Sequence, residues 1–362
     1  MFIFLFILVA GLVLIYANVS PVAPGKKGKL IALGILVAIF LGMFFRHTLV
    51  GCIIVAFTSV WLCQALLFYV PWDLFRGVRR LAVRRALQPK TLMLASRILL
   101  TVTIVLTLGL FAYGVPHNGN YKLLKTTVNL GKPGFTAVFF SDVHVDPLFN
   151  RAKLERMISD IDSIAPDYLL FGGDLADVSM EQLDEWGYDS LFKKLTSKAK
   201  VAAVAINGNH EGMQEGSGMT PGEWMRKVGF VVLDDSSACI EQACFTGRTD
   251  FQVARRRGVE RVPLATLAPR DSERPWILMD HQPKGIEPEY TGRLPDFALS
   301  GHTHDGQFFP GTVVIKLVWR LAYGEGVLDG VRWLVSAGVD CWGPPVRVGS
   351  DADMWVIRFE NQ

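Results

Sequence analysis

Hydrophobic positions divide the chain into two unlike halves. Four long apolar runs lie in the first third of the sequence: Met1–Tyr16, Leu30–Phe45, Thr48–Val70 and Ile98–Val115. A membrane-spanning helix needs roughly 20 apolar residues, so the third run is long enough by itself and the others lie near the lower end of the range. Asp73 is the first acidic residue of the chain, which excludes a soluble helical core with a polar face. The pattern predicts a bundle of four transmembrane helices over residues 1–116.

The first apolar run has a second interpretation, as a secretory signal peptide. Such a peptide carries positive charge before its apolar stretch and small residues at its cleavage site. The run begins directly after Met1 without a basic residue, and it is followed by no convincing cleavage site. A first spanning helix is therefore the prediction.

The basic residues predict how the bundle is oriented. Lys26, Lys27 and Lys29 lie in the first loop, whereas the second loop carries only Arg46 as a full charge. The third loop carries seven basic residues: Arg76, Arg79, Arg80, Arg84, Arg85, Lys90 and Arg97. With four spans, the first and third loops lie on the same side, which the positive-inside rule identifies as the cytoplasm. We therefore expect an inner or plasma membrane protein whose second half is periplasmic.

The third loop allows two interpretations. Its basic residues can serve only to fix the topology. Alternatively, the loop forms a basic amphipathic helix on anionic lipid, with Trp72, Leu74, Phe75 and Leu81 on its apolar side. The first interpretation is favoured, because fixing the topology already explains the excess of basic residues in this loop.

The second half shows the short alternating elements of an α/β domain. Nine apolar, β-rich runs are predicted as strands: Phe135–Phe140, Tyr168–Phe171, Val201–Ile206, Phe230–Leu233, Trp276–Met279, Phe297–Leu299, Thr312–Ile315, Val331–Val335 and Met354–Phe359. Ala152–Ile164 and Ser179–Leu195 have helical spacing. Residues 117–133 are polar and are predicted as a linker or a first strand. The predicted domain covers residues 134–362, which is long enough for one sizeable core.

Charge separates the halves as sharply as hydropathy does. Residues up to Ser141 include 14 Lys and Arg and one acid, whereas the rest of the chain includes 23 Lys and Arg and 33 acids. The second half is therefore a poor attractor for RNA or DNA, and no nucleic-acid partner is expected. The apolar runs show no ionisable residue in their interiors, so a transporter role has no support.

The candidate chemistry follows the predicted strands. Five strand ends carry polar residues, often with glycine beside them: Asp142 and His144, Asp174, Asn209 and His210, His281, and His302 and His304. In open α/β sheets, ligands bind just beyond the carboxyl ends of the strands. Imidazole and carboxylate together bind zinc, iron or manganese, and the lack of a nearby thiolate argues against a structural zinc. Eight candidate ligands are too many for one ion and suit a pair roughly 3.5–4 Å apart.

The series has the order of a known family. Its members here are Asp142-Val143-His144, Gly173-Asp174, Gly208-Asn209-His210, His281 and Gly301-His302-Thr303-His304. This series resembles the complete motif set of the calcineurin-like metallophosphoesterases over about Gly134 to Glu360. The preceding spans, Gly247-Arg248-Thr249-Asp250 and Gly343-Pro344-Pro345-Val346-Arg347 resemble its bacterial membrane-anchored branch.

The resemblance implies a fold and a set of roles. The fold is a four-layer αββα sandwich with two mixed sheets. One divalent metal ion is held by Asp142, His144, Asp174 and His304, and a second by Asp174, Asn209, His281 and His302. The ions are Mn²⁺, Zn²⁺ or Fe²⁺. His210 faces the substrate phosphate and assists the leaving group, so His210, Asp174 and Asn209 form the implied catalytic set.

Three functions compete for this chain. The first is an enzyme that hydrolyses a lipid-linked or envelope phosphate ester outside the cytoplasm. The second is a hydrolase of soluble nucleotides or general phosphodiesters with a passive membrane anchor. The third is a non-catalytic sensor or assembly factor, which the complete ligand set argues against. The apolar residues after the last motif form either an entry lip at the bilayer or part of the core: Phe308, Phe309, Pro310, Val318, Trp319 and Leu321.

Two smaller questions stay open at this level. Cys239 and Cys244 lie five residues apart, and an external location permits a disulfide between them, although two reduced thiols are equally compatible with the spacing. Asp305 stands where the resembling branch often has glycine. Its carboxylate can bind a further cation, repel a second substrate charge, or point to solvent. The oligomeric state is not indicated.

Overall fold

The computed structural model describes residues 2–46, 48–132, 134–214 and 218–361, with the side chains of residues 2–9 left out. Met1, Pro133 and Gln362, which begin or end predicted segments, lie outside these ranges. The chain forms two compact units, Met1–Val115 and Pro116–Gln362.

Long helices make up the first unit. They are α1 (Phe2–Val19), α2 (Lys26–Phe44), α3 (Leu49–Val83) and α4 (Pro89–Asn118). Among the described residues, α2, α3 and α4 are long and apolar enough to cross a membrane. The described part of the first helix gives a shorter apolar segment, Ala10–Val22. Over these residues, three candidate spans stand where the sequence predicts four. The difference arises because the first predicted span falls largely on side chains outside the described set.

A few buried contacts hold the first unit together. Trp61 is buried, and its indole N–H donates to Thr103 Oγ1 at 3.0 Å. Asp73 accepts a hydrogen bond from Asn18 Nδ2 at 2.8 Å and pairs with Arg76 Nη1 at the same distance. The only acid of this unit is thereby partnered, as a charge on an otherwise apolar helix must be.

Helix α3 extends beyond its predicted span. It runs 35 residues to Val83, which is about 50 Å at 1.5 Å per residue and longer than the hydrocarbon core of a bilayer. The extension includes part of the basic third loop and exposes Leu74, Phe75 and Leu81. This segment is therefore helical, with apolar and basic residues together on its surface.

The second unit is built on two mixed six-stranded sheets. The first sheet has the order β1-β12-β2-β3-β4-β5, formed by β1 (Tyr121–Asn129), β2 (Phe135–Phe140), β3 (Tyr168–Phe171), β4 (Ala202–Ile206), β5 (Phe230–Leu233) and β12 (Ala352–Glu360). The second has the order β10-β11-β9-β8-β7-β6, formed by β6 (Ser236–Ile240), β7 (Ala243–Gly247), β8 (Trp276–Met279), β9 (Phe297–Ser300), β10 (Gly324–Leu328) and β11 (Val331–Val335). Strands β2 to β5 are parallel, as are β7, β8, β9 and β11.

Side-chain alternation along the strands produces the layers. In β2, Val138 and Phe140 pack with helical residues such as Leu154, whereas Ala137 and Phe139 pack against the second sheet. The outer face of the second sheet packs on short helical segments through a separate cluster that includes Trp276 and Trp333. The helices of this unit are α5 (Arg151–Ile164), α6 (Met180–Glu185), α7 (Tyr188–Thr196), α8 (Pro221–Lys227), α9 (Phe251–Arg257), α10 (Leu264–Leu267) and α11 (Gly311–Val318). The predicted αββα sandwich with two mixed sheets is confirmed.

One predicted strand is wrong. The run Thr312–Ile315 is β-branched, which favours a strand, but it lies in helix α11. Strand propensity is realised only where a neighbouring strand completes the pairing, and here the segment begins a helix after Pro310, with Val314 N–H donating to Pro310 O at 3.1 Å.

Other differences involve glycine and short hairpins. The stretch predicted as one helix over Ser179–Leu195 is two helices, because Gly187 has a φ of +73° between them. The segment 117–133, predicted as a linker or a first strand, contains β1, which pairs in parallel with β12. Strands β6, β7 and β10 were not predicted, because small or polar residues interrupt them, including the two glycines of β10.

Candidate metal centre

The predicted site residues meet at one edge of the sandwich. Asp142 and His144 follow β2, Asp174 follows β3, and Asn209 and His210 follow β4 in the first sheet. The second sheet contributes His281 after β8, and His302 and His304 after β9. Because the carboxyl ends of parallel strands lie at the same edge, residues far apart in sequence converge there.

Among the described residues, three groups of side chains have the spacing of metal ligands, and one of them joins His144 to Asp177 and His210. In the other two, nitrogen and oxygen atoms of Asp142, His144 and His304 lie within 4.8 Å of one another, and so do those of Asp174, His281 and His302. In the first of these two groups, His304 Nε2 is 3.5 Å from Asp142 Oδ1. Among the members of these two groups, His302 is half-buried and the other five residues are buried.

Asp174 connects the two groups through one oxygen. Its Oδ2 lies 3.5 Å from His144 Nε2 and 3.1 Å from His281 Nε2, and these imidazoles belong to different groups. Its Oδ1 accepts the backbone N–H of His210 at 2.9 Å. This is the arrangement of a carboxylate that bridges two ions while its other oxygen holds a neighbouring loop.

Three of the imidazoles are oriented by contacts on their far side. The Nδ1 atom of His281 lies 2.8 Å from Gly172 O, and that of His304 lies 3.1 Å from Asp340 O. His144 Nδ1 lies 3.3 Å from Asp177 Oδ1. Metal-binding histidines commonly have such a partner on one ring nitrogen, which leaves the other nitrogen for the metal. Here Nε2 is the nitrogen that faces the centre in each ring.

Unpartnered polar atoms show that these residues fit metal ions. Among the described residues, the buried atoms His144 Nε2 and Asn209 Oδ1 have no hydrogen-bond partner, and His281 Nε2 faces the Asp174 carboxylate at 3.1 Å. Leaving a buried donor or acceptor unpaired costs about 1–3 kcal/mol, so such atoms rarely cluster without a ligand. Nitrogen and oxygen donors without thiolate suit the divalent transition metals.

The backbone around the centre is held in an unusual conformation. Asp142, His144, Asp174, His302 and His304 all have φ between +45° and +70°. Non-glycine residues seldom adopt this left-handed region, and each costs on the order of 1–3 kcal/mol. Such residues concentrate at functional sites, where the surrounding structure fixes them.

Glycine permits the close approach of the carboxylates. A Cβ on Gly208 would lie 2.2 Å from Asp174 Oδ1, and one on Gly301 would lie 2.2 Å from Asp142 Oδ2. Both contacts are far shorter than van der Waals separation. A side chain at either position would therefore displace a candidate ligand, which explains why glycine accompanies these motifs.

The electrostatic field at the centre favours positive charge. Burial lowers the pKa of His144, but the carboxylates of Asp177, Asp174 and Asp142 outweigh it and raise that pKa to about 10. Burial lowers the pKa of His302 to about 3, helped by the charge of His281, so this imidazole is neutral and ready to coordinate. Burial also lowers the pKa of His281, but nearby carboxylates, Asp174 first, outweigh it and raise that pKa, so cations bound here would compete with the protons drawn onto His144 and His281.

His210 and Asn209 occupy the rim of the centre. The Nδ1 atom of His210 lies 2.5 Å from Asp177 Oδ1, which leaves Nε2 available to a substrate. The His210 ring lies 5.9 Å from the exposed ring of Trp342. Asn209 is buried, and its backbone carbonyl accepts a hydrogen bond from Arg256 Nη2 at 2.8 Å.

The sequence-based reasoning missed Asp177 and Glu211. Asp177 contacts His144 and His210 through the same oxygen and orients both rings. Glu211 is buried and accepts the backbone N–H groups of Gly208 at 2.6 Å, Leu175 at 2.6 Å and Asp174 at 3.1 Å, thereby joining two ligand loops. In the sequence, only their positions could have indicated these roles: Asp177 lies three residues after Asp174, and Glu211 directly follows His210.

The comparisons with known proteins agree with this geometry. The profile of the calcineurin-like phosphoesterases matches residues 135–306. Together with the two mixed sheets and the metal-ligand groups, this match shows that the chain contains a calcineurin-like metallophosphoesterase domain. The domain is that of a phosphoester hydrolase, as the sequence predicted, and its family uses divalent metal ions.

Relatives with the same domain occur in bacteria and animals. The chain is 26% identical to an uncharacterized metallophosphoesterase of Helicobacter pylori over 242 residues, 66% of this chain and 64% of that protein. It is 28% identical to a transmembrane protein with metallophosphoesterase domain of Danio rerio, over 63% of this chain and 54% of that protein. A Campylobacter jejuni metallophosphoesterase is 22% identical over 84% of this chain and 83% of its own length. The chain thus spans less than two thirds of the Helicobacter and Danio relatives. The apolar helices and the transmembrane relative indicate membrane association.

Proposed function

We propose that this chain is a membrane-anchored phosphoesterase with two divalent metal ions, which hydrolyses a lipid-linked or envelope phosphate ester outside the cytoplasm. The observation that carries the proposal is the pair of ligand groups sharing Asp174 Oδ2, in a chain that also has helices of membrane-spanning length. Asp142, His144, Asp174 and His304 would hold the first ion. Asp174, Asn209, His281 and His302 would hold the second.

The candidate ligands have different roles in the proposed reaction. Divalent ions, when bound, lower the pKa of a coordinated water to about 7 and offset charge on phosphoryl oxygens. Asp174 would be shared by both ions and Asp142 would hold the first, while the backbone N–H groups of His210 and His302 keep these two carboxylates in place. Asn209 supplies a buried Oδ1 without a hydrogen-bond partner.

His210 is proposed as the residue that protonates the leaving oxygen. Asp177 engages its Nδ1 at 2.5 Å, so the ring is fixed and Nε2 is the nitrogen that reaches the substrate. A well-placed general acid contributes roughly 10²–10⁴-fold to the rate.

The external location has support in the second unit. Cys239 and Cys244 form a disulfide that joins directly opposed residues of β6 and β7. Disulfides persist in oxidising compartments and are rare in the cytosol. This bond and the basic first and third loops favour the same orientation of the chain.

The orientation has a direct test. A reporter fused after Gln362 is expected to show activity when it is alkaline phosphatase, which folds only outside the cytoplasm, and no fluorescence when it is a cytoplasm-dependent fluorescent protein. Fusions after Arg85, in the third loop, should give the reverse result. Fluorescence from the Gln362 fusion would contradict the proposed orientation.

The substrate class is tested by product analysis. The detergent-purified chain, loaded with Mn²⁺, is incubated with total membrane lipid of its host, and lipids are compared by mass spectrometry with a His302→Ala reaction. We expect one phospholipid or lipid-linked phosphate to be consumed only by the unaltered chain. If lipids are unchanged while a small chromogenic phosphodiester is cleaved, the lipid assignment fails and soluble substrates replace it. If neither is cleaved, the chain is not a hydrolase.

A further inference from the structure

An apolar surface lies directly after the Gly-His-Thr-His segment. All eight residues of α11 are exposed or half-buried, although most are large and apolar. Four of them have exposed fractions between 50% and 83%, namely Val313, Val314, Leu317 and Val318. Exposed apolar surface of this extent beside a site usually marks an interaction surface.

Helix α11 lies beside the metal centre. At its start, Gly306 and Gly311 pack so closely that a Cβ on Gly306 would lie 2.2 Å from Gly311 O. Just past its end, the ring of Trp319 lies 5.4 Å from the ring of His302. The helix is therefore part of the rim of the centre.

Asp305 contacts helix α11 through an ion pair. Its side chain is buried rather than pointing to solvent, and its Oδ1 lies 3.8 Å from Lys316 Nζ on α11. A residue that departs from the family pattern thus contacts the apolar helix.

The surrounding side chains are of the types found at membrane interfaces. Lys316 is largely exposed, so its aliphatic stem can lie along apolar surface while its ammonium reaches headgroups. Lys284 Nζ lies 4.5 Å from the centre of the Trp319 ring and 4.8 Å from that of Phe251. Tryptophan and lysine together favour the boundary between water and hydrocarbon.

The length of α11 suits insertion without spanning. Eight residues extend about 12 Å, which is far less than the roughly 30 Å of hydrocarbon. Interfacial helices bury their apolar side about 5–10 Å deep at the headgroup boundary. The same chain carries helices α2, α3 and α4 of membrane-spanning length, which argues for a bilayer rather than a soluble partner as the occupant of this surface.

We propose that α11 inserts into the headgroup region of a phospholipid bilayer and brings lipid-borne phosphate to the metal centre. This inference rests on the proposed function and adds the surface that recognises its substrate. The bilayer is the occupant, and a second copy of the chain is the competing one.

Photo-crosslinking tests the contact without requiring activity. The full chain is reconstituted in vesicles of phosphatidylethanolamine and phosphatidylglycerol, with p-benzoylphenylalanine in place of Leu317 or, as a control, of Val327. Val327 is a 69% exposed residue of β10. We expect lipid adducts at position 317 at least about 10-fold above those at 327. Equal labelling, or protein–protein adducts at 317 instead, would overturn the proposal.

Kinetics test the consequence for the substrate. Leu317→Ser and Val318→Ser are expected to raise KM for the lipid substrate about 10-fold or more, because an inserted apolar side chain loses its favourable transfer from water. The chromogenic diester should be cleaved within about two-fold of the unaltered rate, and Val327→Ser should change neither reaction. Unchanged lipid KM in both variants overturns the proposal. Loss of diester cleavage in the unaltered chain would instead refute the proposed function, while crosslinking still decides the role of α11.

Discussion

Replacing Asp174 by Asn is expected to abolish hydrolysis and to lower the bound metal. Asp174 Oδ2 lies within 3.5 Å of an imidazole from each ligand group, so its charge serves both proposed ions. The neutral amide keeps the shape of the side chain but removes the negative charge that holds two cations together. Turnover of a chromogenic diester and metal content by mass spectrometry give the two readouts.

A matched variant separates this effect from a general loss of charge. Asp162→Asn makes the same chemical change at a side chain that is 62% exposed on α5 and pairs with Lys198 at 2.9 Å. We expect it to retain turnover within about two-fold and full metal content, since surface ion pairs contribute little. Full activity in the Asp174 variant would remove Asp174 from the centre.

His210→Ala is expected to reduce turnover by roughly 10²–10⁴-fold while metal content stays unchanged. The side chain contacts Asp177 through Nδ1 and shares a ligand-spaced group with Asp177 and His144, to which the proposal assigns no ion. The loss should be smallest for esters whose leaving group is acidic, because such a group departs without a proton. Comparing a nitrophenyl ester with an alkyl ester therefore measures the proton transfer directly.

Asp177→Asn provides the companion measurement. Asp177 Oδ1 orients both His144 and His210, so the change should weaken metal binding as well as turnover. Outer partners of metal-binding histidines typically contribute 10–100-fold to metal affinity or activity.

Equal losses of turnover on nitrophenyl and alkyl esters in the His210→Ala variant would contradict the role of His210 as an acid.

Much of the site was predictable because its residues come in short local motifs. Asp142 with His144, and His302 with His304, each follow an apolar strand, and the shared edge of parallel strands brings such positions together. The alternation of apolar strands and amphipathic stretches predicted an α/β domain, whereas the four-layer sandwich was implied by the resemblance to the calcineurin-like metallophosphoesterases. The assignment of individual ligands is still a prediction, which the Asp174→Asn and His210→Ala variants address.

What was missed depends on contacts between distant segments. Nothing in the sequence distinguishes Asp177 from other acidic residues. Its role follows from the fold, which brings His144 and His210, located after different strands, into contact with its carboxylate. Glu211 acquires its role only because the loops after β3 and β4 present three N–H groups to one buried carboxylate. Helix α11 was predicted as a strand because propensity describes local preference, whereas its neighbours offer it no strand to pair with.

The left-handed residues of the centre link metal supply to the amount of protein in the cell. Five strained positions at one edge make the metal-free fold less stable than its core alone would allow. A ligand that binds only the folded state stabilises it by about 4 kcal/mol at a concentration 1,000 times its Kd. Chains that fail to acquire metal would unfold more often and be degraded first, so that proteolysis matches the abundance of the enzyme to the supply of its ions.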